Sequence, residues 1–152
     1  MTLKDKRALV IGGGSGTGLG VARGAAREGA DVLIASRDAE KIAAAAKNIG
    51  ATSAAIDMRD ENNVKQFFKD NSAFDHIAFT AGDWESLMPG AVAVAKHGAT
   101  KLPPGGSYTI TNGMLAHRPM KGMPTVAASA SAVGIGAPAG VFRALNGALE
   151  SA

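Results

Sequence analysis

Val10-Ile11-Gly12-Gly13-Gly14-Ser15-Gly16-Thr17-Gly18-Leu19-Gly20 is the stretch whose reading decides the fold. It leaves a short apolar run, Ala8-Leu9-Val10-Ile11, and enters a segment in which Leu19, Ala22 and Ala26 share one face of a helix. An apolar run without alternation suits a parallel strand buried on both faces. Glycines at the turn let the backbone bend tightly and approach a ligand with no Cβ in the way. A helix opening at Gly16 offers free N–H groups to an anion. Strand, glycine-rich turn and helix in that order form the context in which such a loop cradles a dinucleotide pyrophosphate; without it the glycines would describe only a flexible turn.

Outward from the loop, strand and helix keep alternating. Residues 31–35 read as a second strand, and Asp38 then caps a helix whose stripe is Ile42, Ala45, Ala46 and Ile49, with Gly50 as its stop. A weaker strand over 53–56 precedes a helix over 61–71 that buries Val64, Phe67 and Phe68, and residues 74–79 form a fourth strand. Residues 91–97 fit either a strand or an alanine-rich helix. Pro89-Gly90 before them and Pro103-Pro104-Gly105-Gly106 after them favour the helix, as does the need for a crossover before a fifth parallel strand over 107–111. A further helix starts at 125–133 but meets Gly134, Gly136, Pro138 and Gly140, and 141–149 is helical again. The expected fold is α/β: a Rossmann-type doubly wound parallel sheet in three α/β/α layers, one domain over residues 1–152.

Composition narrows the function. Hydrophobic residues make up 46% of the chain and charged residues 19%, within the range of folded globular proteins. The net charge is +3 with no basic run, which argues against nucleic acid. There is no cysteine, so disulfide and thiolate chemistry are excluded. No apolar run reaches the roughly 18 residues of a membrane span, and residues 1–7 lack a signal-peptide pattern; the expectation is a cytoplasmic protein with no membrane contact. His76 and His97 stand far apart in sequence and form no ligand set, so no metal site is expected.

The glycine loop resembles that of the short-chain dehydrogenase/reductase family. That family's Thr-Gly-x-x-x-Gly-x-Gly falls on Ile11, Gly12, Gly16 and Gly18, with only the threonine replaced. Asp57-Met58 matches the place where the family sets an Asp beside adenine, and Thr80-Ala81-Gly82 resembles its Asn-Asn-Ala-Gly with both asparagines changed. The resemblance implies cofactor contacts from Gly12, Gly14, Ser15, Gly16, Thr17 and Gly18, and from Asp57, Met58, Ala81 and Gly82. Cofactor choice turns on the end of the second strand, where an acidic residue selects NAD and an arginine accommodates the extra phosphate of NADP. Ala35-Ser36-Arg37 stands there, so NADP(H) is expected in preference to NAD(H); the alternative is a surface Arg37 paired with Asp38 or Glu40.

The family's proton-transfer residues, a Ser and a Tyr-x-x-x-Lys, are implied to fall on Asn112, Thr125 and Ser129. None matches, and neither Thr nor Ser titrates near neutral pH. His117, in a loop with Lys121, has a usable unperturbed pKa and is a speculative substitute, against the reading of a solvated loop residue. Tyr108 has no lysine four residues on and reads as packing. Set against the family, the stretch 82–106 is short and the sixth and seventh strands are missing. A C-terminally abbreviated domain, or part of a longer protein, is therefore expected. The exposed edge strand this leaves suggests a homo-oligomer, dimer or tetramer. The resemblance implies an oxidoreductase acting on a carbonyl or alcohol of a small-molecule substrate. The alternative is a catalytically inactive NADP(H)-binding sensor or oligomer-stabilising relative.

Overall fold

The computed structural model describes residues 2–81 and 87–111. In chain order the elements are β1 (Arg7–Ile11), α1 (Gly16–Arg27), β2 (Asp31–Ser36), α2 (Ala39–Ile49), β3 (Thr52–Ala55), α3 (Glu61–Asp70), β4 (His76–Phe79), α4 (Leu87–Gly98) and β5 (Ser107–Ile110), with a single 3₁₀ turn at Ala99–Lys101. All strand pairs are parallel and the sheet order is β3-β2-β1-β4-β5. The chain winds outward from β1 to β3, then crosses back to place β4 on the other side of β1. That reversal makes the carboxyl ends of β1 and β4 the switch point at which doubly wound sheets bind ligands.

The apolar run of β1 is continuous because each of its faces meets a different helix layer. Leu9 and Ile11 join Leu33 and Ala35 against Val64, Phe67 and Phe68 of α3 and Ala91 and Val94 of α4. Ala8 and Val10 join Val32 and Ile34 against Ala22 of α1 and Ile42, Ala45 and Ala46 of α2. Three layers result, as the alternation of elements requires. Phe68 packs edge-on to both Phe67 and Phe74, with ring centroids 5.3 and 6.3 Å apart.

Local signals set most boundaries. Asp38 accepts from the Lys41 backbone N–H at 2.9 Å, and Gly50 closes α2 in the left-handed region at φ 68°. Asp60 caps α3 in the same way through Asn62 N–H. The sequence places the start of α4 at about 91; the helix begins at Leu87 instead. Pro89 lies within its first turn, where the missing N–H has no intrahelical partner to lose. β4 begins at His76 rather than 74, because Phe74 is buried and its N–H turns to Lys101 O. Both stretches expected to be helical after the fifth strand, 125–133 and 141–149, lie outside the described residues.

Candidate functional site

A cleft of about 450 Å³ opens over the carboxyl ends of β1, β2 and β4. One wall is the glycine loop, where Gly12, Gly14, Ser15, Gly16, Thr17 and Gly18 all line it. Two of these glycines are required by packing. Gly12 sits at φ 86°, and a Cβ there would come within 2.7 Å of Ala81 N. A Cβ on Gly18 would strike Gly12 O and Thr80 Oγ1. Thr80 is itself fixed, its N–H and Oγ1 both donating to Ile11 O at 2.8 Å. By contrast, a Cβ on Gly14 or Gly16 would meet nothing within 4 Å, so the loop leaves open space on its cleft side.

The opening turn of α1 faces that space. Ser15 is its N-cap in extended geometry, yet its side chain makes no capping bond, and the first turn carries no acidic residue. The Asp caps of α2 and α3 satisfy an N–H at their helix starts; α1 has no such side chain. Its free N–H groups and the positive end of its dipole therefore suit an anion such as a pyrophosphate.

At the far end of the cleft, Ser36 and Arg37 lie where β2 stops, and the first turn of α2 adds Asp38 and Lys41. Met58 lines the cleft beyond β3 and is nearly buried, with Gly90 of α4 close against it. Asp57, expected beside adenine, is bonded to a neighbouring arginine. Its carboxylate accepts from Arg59 Nε at 2.9 Å, from Nη2 at 2.6 Å and from the Arg59 backbone N–H at 3.0 Å, and it is not among the lining residues. A turn closed by Asp60 N–H on Asp57 O brings Arg59 back to it. These bonds to Arg59, with a smaller contribution from the Arg37 charge, hold the Asp57 carboxyl down at about 2.

At the end toward β4 and β5, Thr80, Ala81 and Thr111 line the cleft. Gly82, Asn112, His117, Thr125 and Ser129 lie outside the described residues. Tyr108 is directed away from the cleft: its O–H donates to Ala91 O at 3.0 Å, and burial pushes the phenol's pKa up. His76 pairs with Ser107 Oγ and His97 with Glu61, so both histidines join elements of the fold. Asp38, Thr80, Thr111 and Lys41 line the cleft without having been expected as cofactor contacts, and of these Lys41 is the one to which the sequence reading gave no role at all. The available signal was helix phase, since a residue three positions after an N-cap lies on the same turn as the cap.

Residues 6–78 match the family profile described as short chain dehydrogenase. The chain is 40% identical over 100 residues to the peroxisomal 2,4-dienoyl-CoA reductase of Danio rerio, a match covering 66% of this chain and 33% of that protein. It is 31% identical to gluconate 5-dehydrogenase of Gluconobacter oxydans (strain 621H), over 63% of this chain and 49% of the relative. The chain thus spans between a third and about half the length of these relatives. Among solved structures, a short chain dehydrogenase from Burkholderia cenocepacia J2315 in complex with NADP superposes with a TM-score of 0.85 at 28% identity, covering 96% of this chain and 71% of that one.

Proposed function

Because this chain belongs to the short-chain dehydrogenase/reductase family, we propose that its cleft takes NADP(H) and that it is an oxidoreductase acting on a carbonyl or alcohol of a small molecule. The observation that carries the cofactor choice is the end of β2, where Ser36 and Arg37 line the cleft in place of an acidic side chain. A guanidinium there matches a phosphate in charge and in hydrogen-bond geometry. The uncapped start of α1 and the open space at Gly14 and Gly16 support the pyrophosphate contact. The named activities of the relatives, a reductase and a dehydrogenase, support the redox class. When bound, the nicotinamide supplies a hydride donor or acceptor. The chain's own part is to hold the phosphates, orient the adenosine half, and present Thr80, Ala81 and Thr111 at the opposite end.

Calorimetry or fluorescence titration with NADPH and NADH tests the reading. Arg37→Ala is expected to weaken NADPH by about tenfold or more, the scale of one lost charge-assisted contact, with NADH little changed. Equal loss for both would overturn the phosphate assignment.

A second reading has its own support. The resemblance implies that Asn112, Thr125 and Ser129 fall at the proton-transfer positions, and Tyr108, the one tyrosine, is bonded to Ala91 O. These departures favour an NADP(H)-binding relative without turnover, a sensor or an oligomer stabiliser. NADPH oxidation screened against aldehydes and ketones separates the two. Turnover supports the enzyme, tight binding without turnover supports the sensor, and no binding rejects both. If turnover occurs, an unchanged rate in His117→Ala removes His117 as the acid.

A further inference from the structure

A second groove, of about 350 Å³, lies between α1 and α2 and is lined by Arg23, Ala26, Arg27, Asn48 and Ile49. Ala26 and Ile49 pack against the core and give the groove its apolar lining. It shares no lining residue with the cofactor cleft. The first turn of α1 faces that cleft, and Arg23 and Arg27 stand roughly 10–17 Å further along the helix axis.

The arginines among the described residues are Arg7, Arg23, Arg27, Arg37 and Arg59. Arg7 donates to Ser72 O and Ala73 O, Arg59 is bonded to Asp57, and Arg37 has a partner as well. Arg23 and Arg27 make no hydrogen bond or ion pair through their side chains among the described residues, and both stand in this groove. Being four residues apart, they are like charges on one helix face, an arrangement that weakens a helix. Their neighbours three and four positions away, Leu19, Gly20, Gly24, Ala26 and Ala30, carry no charge, and Asp31 is paired with Arg7. Arg27 complements the negative end of the α1 dipole, but that reason does not extend to Arg23 in the middle of the helix.

We propose that this groove is a second anion-binding site and that its ligand is a small soluble phosphomonoester. Two guanidiniums present forked N–H donors that match the oxygens of a terminal phosphate in charge and in direction. A dianion between them also relieves their mutual repulsion, which a single carboxylate does less well. The Asn48 carboxamide supplies a further donor, and Ala26 and Ile49 offer a surface to a short apolar body. A recess between helices admits a small molecule more readily than it meets the plane of a membrane.

The test is an NMR titration of the full chain, following the Arg23 and Arg27 Nε–H signals as glycerol 3-phosphate or acetate is added, with and without NADPH. Glycerol 3-phosphate is expected to shift both signals saturably, with acetate at least about tenfold weaker. Arg23→Gln and Arg27→Gln are each expected to weaken glycerol 3-phosphate about 5- to 20-fold, and Arg23→Lys to recover only part of the loss. Helix content by circular dichroism and NADPH affinity are expected to stay unchanged in all three variants. No saturable shift at either arginine, equal binding of acetate, or full binding in the Arg23→Gln, Arg27→Gln double variant would overturn the proposal. Displacement by NADPH would also overturn it, because it would put the probe in the cofactor cleft. Phosphatidylcholine vesicles carrying phosphatidate test the other source of the same chemistry: capture of vesicles without binding of glycerol 3-phosphate would reject a soluble ligand.

Discussion

At the scale of single residues, the glycines around the loop divide by what a methyl group would meet. At Gly18 it would meet backbone that cannot move aside, the Gly12 carbonyl, together with Thr80 Oγ1. Gly18→Ala is expected to cost about 1–3 kcal/mol and to abolish cofactor binding, read by thermal melts and titration. Gly20 and Gly24 lie on the same helix with nothing within 4 Å of an added Cβ. Gly20→Ala and Gly24→Ala are each expected to stabilise by about 0.5–1 kcal/mol, because glycine there carries only its entropy cost. A reversed order of the Gly18 and Gly20 effects would contradict the packing described. Motif spacing singles out Gly12, Gly16 and Gly18, but not which of them face backbone and which face open space. Tyr108→Phe removes the bond to Ala91 O and is expected to cost about 1 kcal/mol, with any NADPH turnover unchanged. Lost turnover would restore Tyr108 as the acid.

Among the elements, the helices were the most legible. The cap at Asp38, the stripe from Ile42 to Ile49 and the stop at Gly50 are all local signals, and α2 follows them. β3 was the weakest strand in the sequence, and it is an exposed edge strand whose pairing with β2 does more than its own side chains. The start of β4 shows the limit of local reading, since Asp75 works between elements. Its carboxylate accepts from Arg7 N–H at 2.9 Å and from Lys6 Nζ at 3.0 Å, while its own N–H donates to Arg7 O and its carbonyl accepts from Ser107 N–H. Asp75 thus fastens the entries of β1, β4 and β5. Asp75→Asn is expected to lower stability at neutral pH by about 1 kcal/mol in urea unfolding, the difference shrinking below about pH 4 as the wild-type carboxyl protonates. A constant difference down to pH 3 would argue that charge is not what Asp75 contributes.

For the whole molecule, acid sensitivity follows from three carboxyls held below their ordinary values. Arg59 lowers Asp57 from 3.8 to about 2, hydrogen bonds from Lys96 and His97 lower Glu61, and the Arg7 N–H and Lys6 lower Asp75. A carboxyl depressed in the folded state contributes stability above its unfolded value and loses it as pH falls through the folded one. Stability is therefore expected to be nearly flat from about pH 7 to 5 and to fall below about pH 4, with the Asp57 part lost last, near pH 2. Urea unfolding across that range checks it, and a flat profile to pH 2.5 would contradict it. The same pairs show where sequence reading ends. The succession of strands and helices, the turn at Gly12–Gly18 and the Ser36-Arg37 end of β2 were all written locally, because caps, periodicity and glycine spacing act within a few residues. Sheet order β3-β2-β1-β4-β5 then decided the rest. It brought Thr80 and Thr111 to the cleft that Gly12 opens, and packing between layers bonded Tyr108 to α4. Packing and a tight turn also joined Asp57 to Arg59 and set Lys41 in the same cleft as Arg37. Such contacts depend on which strand ends adjoin and on what each side chain meets in space, and neither is carried by local sequence pattern.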